Sequence, residues 1–507
     1  MIPLLSREAA RALDADATAR LGIPSSVLME NAGLGAMQLL AARWPSALAR
    51  VVVVGGSGQN GGDAWVLARH LTLSGRTPRC VLIGDRAKVS GDALMNLLAL
   101  ERMGVPVARA ADLSALDGAL QHATCVVDGL FGTGLDRPVT GLFAEAMARI
   151  NDSGLPCFAL DVPSGVDANS GAVLASAVRA TLTATFAAHK RGLHQHPGAG
   201  HAGEVVCVSI GVPGAGVACA STIEYALIER ADVAAWLPPR AADTHKGRGG
   251  HVLIVAGGPG HTGAALLSGL GALRAGAGLV TLCPRAGARA ALDAKVIELM
   301  TADMPPTLDE AVRTVIELVR DKHAAVIGPG LGVDPDGCAL SRRLSIELTK
   351  PALLDADALG AFAGRLSELR GAAAARVLTP HPGEAARLLG TSAEDVQRDR
   401  YAAAARLAAD SGCVVVLKGA RSLIASPDGS LRVCPIDAPA LAVAGTGDVL
   451  SGTIGALLSQ LPAADAAAAG VFLHALAGSL AARSDRGLLA REVADTLPVA
   501  LEACRQR

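Results

Sequence analysis

Gly56, Gly58 and Gly61 stand at G-x-G-x-x-G spacing directly after the apolar run Val51–Val54, with Gln59, Asn60 and Asp63 in the same turn. Glycines let backbone approach a phosphate, and a helix starting there presents free N–H groups and the positive end of its dipole. A tight strand-to-helix turn does not need that much polarity for packing. Two more acids close apolar runs: Asp128 follows Cys125–Val127 and Asp161 follows Phe158–Leu160. A lone strand-end Asp is more often a helix cap. Gly-plus-Asp loops over 56–63, 128–138 and 161–165, all at the C-terminal edge of one parallel sheet, point instead to a polar ligand crevice. Asn60, Asp128 and Ser164 would offer oxygen ligands to a hard cation. Asp85, near the position where a dinucleotide fold places its ribose acid, sits in a polar Gly-Asp-Arg turn and reads as solvated.

A second constellation is Ala444-Gly-Thr-Gly-Asp448. The N–H groups of a Gly-Thr-Gly turn at a helix start form an anion hole. Asp448 beside it is suited to deprotonating a hydroxyl that attacks phosphorus. Gly257–Gly263, Gly328–Gly332, Asp355–Asp357, Thr379–Glu384 and Lys418–Ser422 each follow an apolar run, so they gather on the same edge of their sheet. His381, between two prolines, is rigidly held. Lys418 reads either as a phosphate partner or as a surface charge at a helix start. No G-x-x-x-x-G-K-[ST] occurs, so nucleotide binding here needs another geometry.

The elements that must position these residues alternate along the chain. Strands are expected at Val51–Val54, Cys80–Ile83, Cys125–Val127, Cys157–Leu160 and Val205–Ile210. After a linker at 211–222, they are expected at His251–Val255, Leu279–Leu282, Ala325–Ile327, Ala352–Leu354, Arg376–Leu378 and Val414–Leu417. Helical stretches such as Ala64–Ser74 and Ala93–Met103 separate them, and a long Ala-rich helical end spans Gly447–Leu497. This pattern predicts the α/β class with parallel sheets. The 507 residues divide into two domains, 1–222 and 223–507.

Composition narrows the partners. The net charge is −1 and only 11 residues are aromatic, which argues against a nucleic-acid polymer. The longest charge-free stretch, Val205–Ile223, is broken by glycines and Pro213. Ala468–Ala482 is short for a span and carries His474, so no membrane is expected. No signal peptide shows at Met1–Ala10. Ten scattered cysteines without a CxxC fit a cytoplasmic chain with free thiols. A homo-oligomer is expected. The few aromatics predict aliphatic walls for any bound ring.

Five segments of the first half, in order, resemble the NAD(P)HX epimerase domain: Met29–Gly33, Gly58–Asp63, Asp128–Gly134, Leu160–Gly165 and Thr185–Gly192. The resemblance implies a Rossmann-like three-layer sandwich that interconverts the R and S forms of the C6-hydrated cofactor. It implies substrate contacts at Gln59, Asn60, Gly61, Gly62, Asp63, Gly132, Thr133, Gly134, Leu135, Asp136, Arg137, Pro138 and Asp161. It places K⁺ at Asn60, Asp128 and Ser164. Gln59 stands where the family commonly has Asn, and Ala64 where Gly is common. Asp161 is the candidate for acid/base work.

The second half resembles ribokinase-like ADP/ATP-dependent NAD(P)HX dehydratase through His245–Gly247, Gly328–Gly332, Thr379–Glu384, Lys418–Ser422 and Gly445–Gly452. By resemblance, Lys418, Gly419, Ala420, Arg421, Ser422 and Gly447 contact ADP, while Ala264, Gly332, His381 and Asp448 contact NADPHX. Ser422 stands where Thr is common and keeps the hydroxyl. Mg²⁺ would screen the nucleotide phosphates. Phosphoryl transfer to the C6 hydroxyl makes phosphate the leaving group, with Asp448 as base. A small-molecule kinase with a non-catalytic N-terminal half stands beside this reading as its alternative.

Overall fold

A computed structural model describes residues 1–110, 113–213 and 224–506. The chain forms two compact units, Pro3–Tyr225 and Ala226–Arg507 with Met1–Ile2. The division expected after residue 222 lies outside the described residues.

The N-terminal unit is built on seven parallel strands: β1 (Val51–Gly55), β2 (Arg79–Ile83), β3 (Val107–Ala110), β4 (Cys125–Gly129), β5 (Cys157–Leu160), β6 (Leu182–Phe186) and β7 (Glu204–Val208). They lie in the order β3-β2-β1-β4-β5-β6-β7. Four consecutive valines make β1 apolar on both faces, as a strand covered on both sides requires. Val51 and Val53 join a core with Trp65 and Leu67, whereas Val52 and Val54 join one with Leu116 and Met147. This is the three-layer α/β sandwich that the alternation predicts. The strand order reverses between β1 and β4, so the loops after Gly55 and Gly129 flank the crevice where open α/β sheets bind ligands.

Sequence reasoning ends the last strand of this unit late: β7 stops at Val208 rather than Ile210. It also misses β3 and β6, whose Val-Ala-Arg-Ala and Leu-Thr-Ala-Thr-Phe runs lack a continuous apolar signal.

In the C-terminal unit, β8 (His251–Val255), β9 (Leu279–Leu282), β10 (Met300–Thr301), β11 (Ala324–Ile327), β12 (Ala352–Leu354), β13 (Arg376–Leu378) and β14 (Val414–Leu417) are parallel. They run β10-β9-β8-β11-β12-β13-β14, and β15 (Leu423–Ala425) and β16 (Leu431–Val433) continue antiparallel. The helical end predicted as one element is three helices: Thr446–Leu458, Ala463–Ala481 and Ala490–Arg505. Pro462 begins the second, since its fixed φ suits a helix start but not an interior. Ala463–Ala481 is 19 residues, longer than the sequence suggested and apolar enough to pass for a span, but 72% of that window is buried. A core helix explains it.

The Thr446–Leu458 helix, which carries Asp448, packs on Thr262–Arg274 through glycines. A Cβ on Gly452 would lie 1.8 Å from Ser268 O, and one on Gly271 would lie 2.4 Å from Val449 O. Helix propensity alone favours Gly→Ala by about 1 kcal/mol, but both obstacles are backbone atoms that cannot step aside. Gly452→Ala is therefore expected to destabilise the chain by about 3 kcal/mol or more, read as a lower urea midpoint. An unchanged midpoint would show that the helices separate freely.

Candidate active sites

In the N-terminal unit the three predicted loops do meet. They line a cleft of about 810 Å³, with Gln59, Asn60, Asp63, Gly132, Thr133, Gly134, Leu135, Asp136, Arg137 and Asp161 in its wall. Gly61 and Gly62 are buried behind it in the first turn of the Gln59–Leu73 helix. Pro138 is exposed just past the lining loop. The glycines do different work from that inferred from their spacing. A Cβ on Gly56 would meet Leu130 O at 2.3 Å, and one on Gly61 would meet Gly56 O at 2.0 Å; Gly58 faces open space. Most of the Gly-rich turn thus serves its own close packing. Phe131 and Phe186 also line the cleft, so its walls are not purely aliphatic.

Asp161 has φ +64°, a backbone that few non-glycine residues hold and that collects at functional sites. Its Oδ2 accepts from the Thr133 N–H at 3.0 Å, and its Oδ1 lies 2.7 Å from Lys190 Nζ. Lys190 is buried and also donates to Thr185 Oγ1 at 3.1 Å and Phe186 O at 2.7 Å. Burial alone would raise the Asp161 pKa; the Lys190 ammonium and the Thr133 amide outweigh it and hold the carboxyl below its ordinary value. Asp161 is therefore a carboxylate at neutral pH. Burial and the neighbouring Asp161 and Asp14 carboxylates push Asp63 well up. Lys190 lay within a segment that the sequence singled out, yet received no role. Asp14, on the Arg7–Ala19 helix, was missed because nothing local distinguishes it from a solvated helix acid.

The cation donors fit their expected group. Asn60 Oδ1 is buried with no hydrogen-bond partner, while its Nδ2–H donates to Leu160 O at 3.2 Å. Asp128 Oδ1 accepts from Ser164 Oγ–H at 2.6 Å and its Oδ2 from Ser164 N–H at 2.8 Å. Burial pushes the Asp128 pKa up to about 6 against those bonds. An orphaned carbonyl oxygen, a buried carboxyl and a hydroxyl make an oxygen donor set for a hard cation.

In the C-terminal unit, one buried carboxylate organises the site. Asp355 Oδ1 lies 2.7 Å from Lys418 Nζ and accepts from Thr379 Oγ1 at 2.8 Å, and its Oδ2 accepts from Ser451 Oγ at 2.7 Å. Burial would raise Asp355, but Lys418 and the two hydroxyls keep it lowered. Lys418 is thus no surface charge at a helix start. A Cβ on Gly447 would lie 3.8 Å from its Nζ, which puts the ammonium at the anion hole. Asp448, in the first turn behind Gly445, is raised to about 6 by burial and by the Asp355 charge. His474, lowered to about 4 by burial, is neutral and donates from Nε2 to Thr446 O at 2.9 Å, fixing the turn.

Gly419 and Ala420 are exposed on the Lys418–Ser422 loop, Arg421 pairs with Asp437 at 2.9 Å, and Ser422 Oγ donates to Gly419 O at 3.0 Å. His381 accepts at Nδ1 from Gly383 N–H at 3.0 Å, capping its helix, and lies 3.5 Å from Glu384, itself 3.8 Å from Lys418. On the other side, Gly332 N–H donates to Asp357 Oδ2 at 2.8 Å, and a Cβ on Gly330 would lie 3.3 Å from Ala264. Among the described residues no three His, Cys, Asp or Glu side chains gather as a metal ligand set.

Comparisons with known proteins follow the same division. Residues 25–192 match the family model of the YjeF-related protein N-terminus, and residues 252–499 match that of NAD(P)H-hydrate dehydratase. The chain is 40% identical to the bifunctional NAD(P)H-hydrate repair enzyme Nnr of Moorella thermoacetica, over 96% of this chain and 94% of that one. It is 38% identical to the enzyme of the same name from Coxiella burnetii, over 93% and 94%. A crystal structure of the ADP/ATP-dependent NAD(P)H-hydrate dehydratase of Bacillus subtilis, co-crystallised with ATP/Mg²⁺, is 32% identical, with a TM-score of 0.48, and covers 54% of this chain and 96% of its own. The chain belongs to the family of bifunctional NAD(P)H-hydrate repair enzymes.

Proposed function

We propose that residues 1–222 interconvert R- and S-NAD(P)HX and that residues 223–507 dehydrate the S form to NAD(P)H at the expense of ADP or ATP. The observation that carries this is the second site's pairing of a part-buried Asp448, raised to about 6, with an ammonium held at a Gly-Thr-Gly helix start. That is a base beside an anion hole. Asp448 takes the proton of the C6 hydroxyl as its oxygen attacks the terminal phosphorus of the nucleotide. The Gly445–Gly447 amides and Lys418 take up the charge on the transferring phosphoryl group. The C6–O bond then breaks with phosphate as leaving group, and loss of a C5 proton restores the dihydronicotinamide. Ala264, Gly332 and His381 hold the hydrate, and Lys418–Ser422 with Gly447 hold the nucleotide. Mg²⁺ travels with the nucleotide phosphates.

In the first site, the C6–O bond breaks and the hydroxyl leaves as water, then water adds to either face of C6; Asp161 takes the proton of the incoming water and returns it to the next departing hydroxyl. Gln59–Asp63 and Gly132–Pro138 form the substrate walls. Asn60, Asp128 and Ser164 would hold K⁺, which would supply a fixed positive charge that keeps Asp128 ionised. Nine free cysteines among the described residues support a cytoplasmic setting.

Incubating the protein with S-NADHX and ADP or ATP in parallel should regenerate the absorbance of reduced nicotinamide. A stable phosphorylated alcohol, with no reduced cofactor formed, would mark a kinase instead. Replacing K⁺ by Li⁺ is expected to slow epimerisation while leaving dehydration of the pure S form unchanged; equal epimerisation rates in both salts would remove the cation from the first site.

A further inference from the structure

The Arg7–Ala19 helix precedes the matched family segment at 25–192, yet it forms part of the first cleft. It is anchored there by named contacts. Ser6 Oγ caps it, Leu13 packs with Leu5 and Ala188, and the Arg7 guanidinium donates to Leu135 O at 2.7 Å and pairs with Asp167. Leu135 belongs to the 132–138 substrate loop, so the helix and that loop are tied together.

From this helix Arg11 reaches the same loop: a Cβ on Gly134 would lie 3.9 Å from its Nη2. The lining cations of the cleft are Arg11, Arg137 and Lys190. Lys190 is committed to Asp161, while neither Arg11 nor Arg137 makes an ion pair with any described residue; of the two, Arg11 stands on the helix anchored to the 132–138 loop. The lining also holds Asp14, Asp63, Asp92 and Asp136. A dinucleotide brings a diphosphate into a cleft that is otherwise acidic, and its phosphates must settle where cations are not already neutralised.

Resting on the epimerase reading above, we propose that Arg11 binds a phosphate of the NAD(P)HX substrate, which orients the hydrated ring toward Asp161 and Lys190. Arg11 is a binding residue, and its loss acts on affinity rather than on proton transfer. Arg11→Ala should raise KM for R-NADHX about tenfold with kcat little changed, the fold-change of one exposed charge-assisted contact. Arg11→Lys should recover most of that loss, since the charge returns. The discriminating probe is the hydrated dihydronicotinamide riboside, which has no phosphate: the Arg11→Ala penalty should be confined to the dinucleotide. An equal penalty on both substrates, or a loss of kcat at unchanged KM, would overturn the proposal. Absence of epimerisation in the unmodified protein would instead overturn the epimerase reading itself, so the two failures are distinguishable.

Discussion

Asp448→Asn is expected to lower dehydration of S-NADHX by about 10³-fold, within the range that general-base removal gives, while nucleotide binding persists. The amide keeps the size of the side chain and the helix start but cannot take the hydroxyl proton. The Lys418–Asp355–Ser451 network does not use Asp448 as a partner, so the anion hole stays assembled. In the unmodified protein the base must be ionised, and its pKa is raised to about 6 by burial and by Asp355. Dehydration should therefore be pH-independent above that value and fall as pH drops through it. The variant should lose this acid limb together with the rate. Binding of ADP by calorimetry separates the two contributions. Turnover retained in Asp448→Asn with an intact acid limb would assign the base to another group.

Lys190→Met carries the second large effect. It leaves the buried Asp161 carboxylate without its ammonium, and breaking a buried pair from one side costs about 3–5 kcal/mol. The sign with pH is opposite in the two proteins. In the unmodified chain the folded pKa of Asp161 is lowered, so its contribution to stability is present above the unfolded value and lost only as pH falls through the folded one. Without Lys190 burial is opposed only by the Thr133 hydrogen bonds, and burial, the largest influence, raises the folded pKa. The variant should then gain stability as pH is lowered from neutral toward 5, as the stranded carboxyl takes up a proton. Epimerisation should be lost at neutral pH because Asp161 no longer sits ionised against the Thr133 amide. Urea midpoints measured across that range test this; identical pH profiles for the two proteins would mean that Lys190 does not set the charge of Asp161.

The elements that hold these groups were readable in proportion to how apolar their strands are. His251–Val255, Leu279–Leu282, Ala352–Leu354 and Val414–Leu417 end where the sequence ends them, because parallel strands covered on both faces are largely apolar, and Asp355 and Lys418 close the last two. β6 carries Thr183 and Thr185, whose hydroxyls serve Ala202 O and Lys190, so it does not read as a buried strand. The strand-end acids were legible because their position follows from topology alone. Their partners were not. Lys190 and Asp161 are 29 residues apart, and Asp355 and Lys418 are 63 apart. Which cation neutralises which acid is decided only when strand ends come together in the sheet. Arg11 and Asp14 were invisible for the same reason: a surface helix enters the site through tertiary packing.

The most direct test gives the intact chain an equal mixture of R- and S-NADHX with ADP, Mg²⁺ and K⁺, and follows recovery of NADH beside an Asp161→Asn variant. The unmodified protein should convert the whole mixture in one phase, because the first unit feeds the second. The variant should convert the S half quickly and the remainder only at the uncatalysed rate. Recovery that stalls at half in both proteins, or proceeds identically to completion in both, would contradict the two-site account.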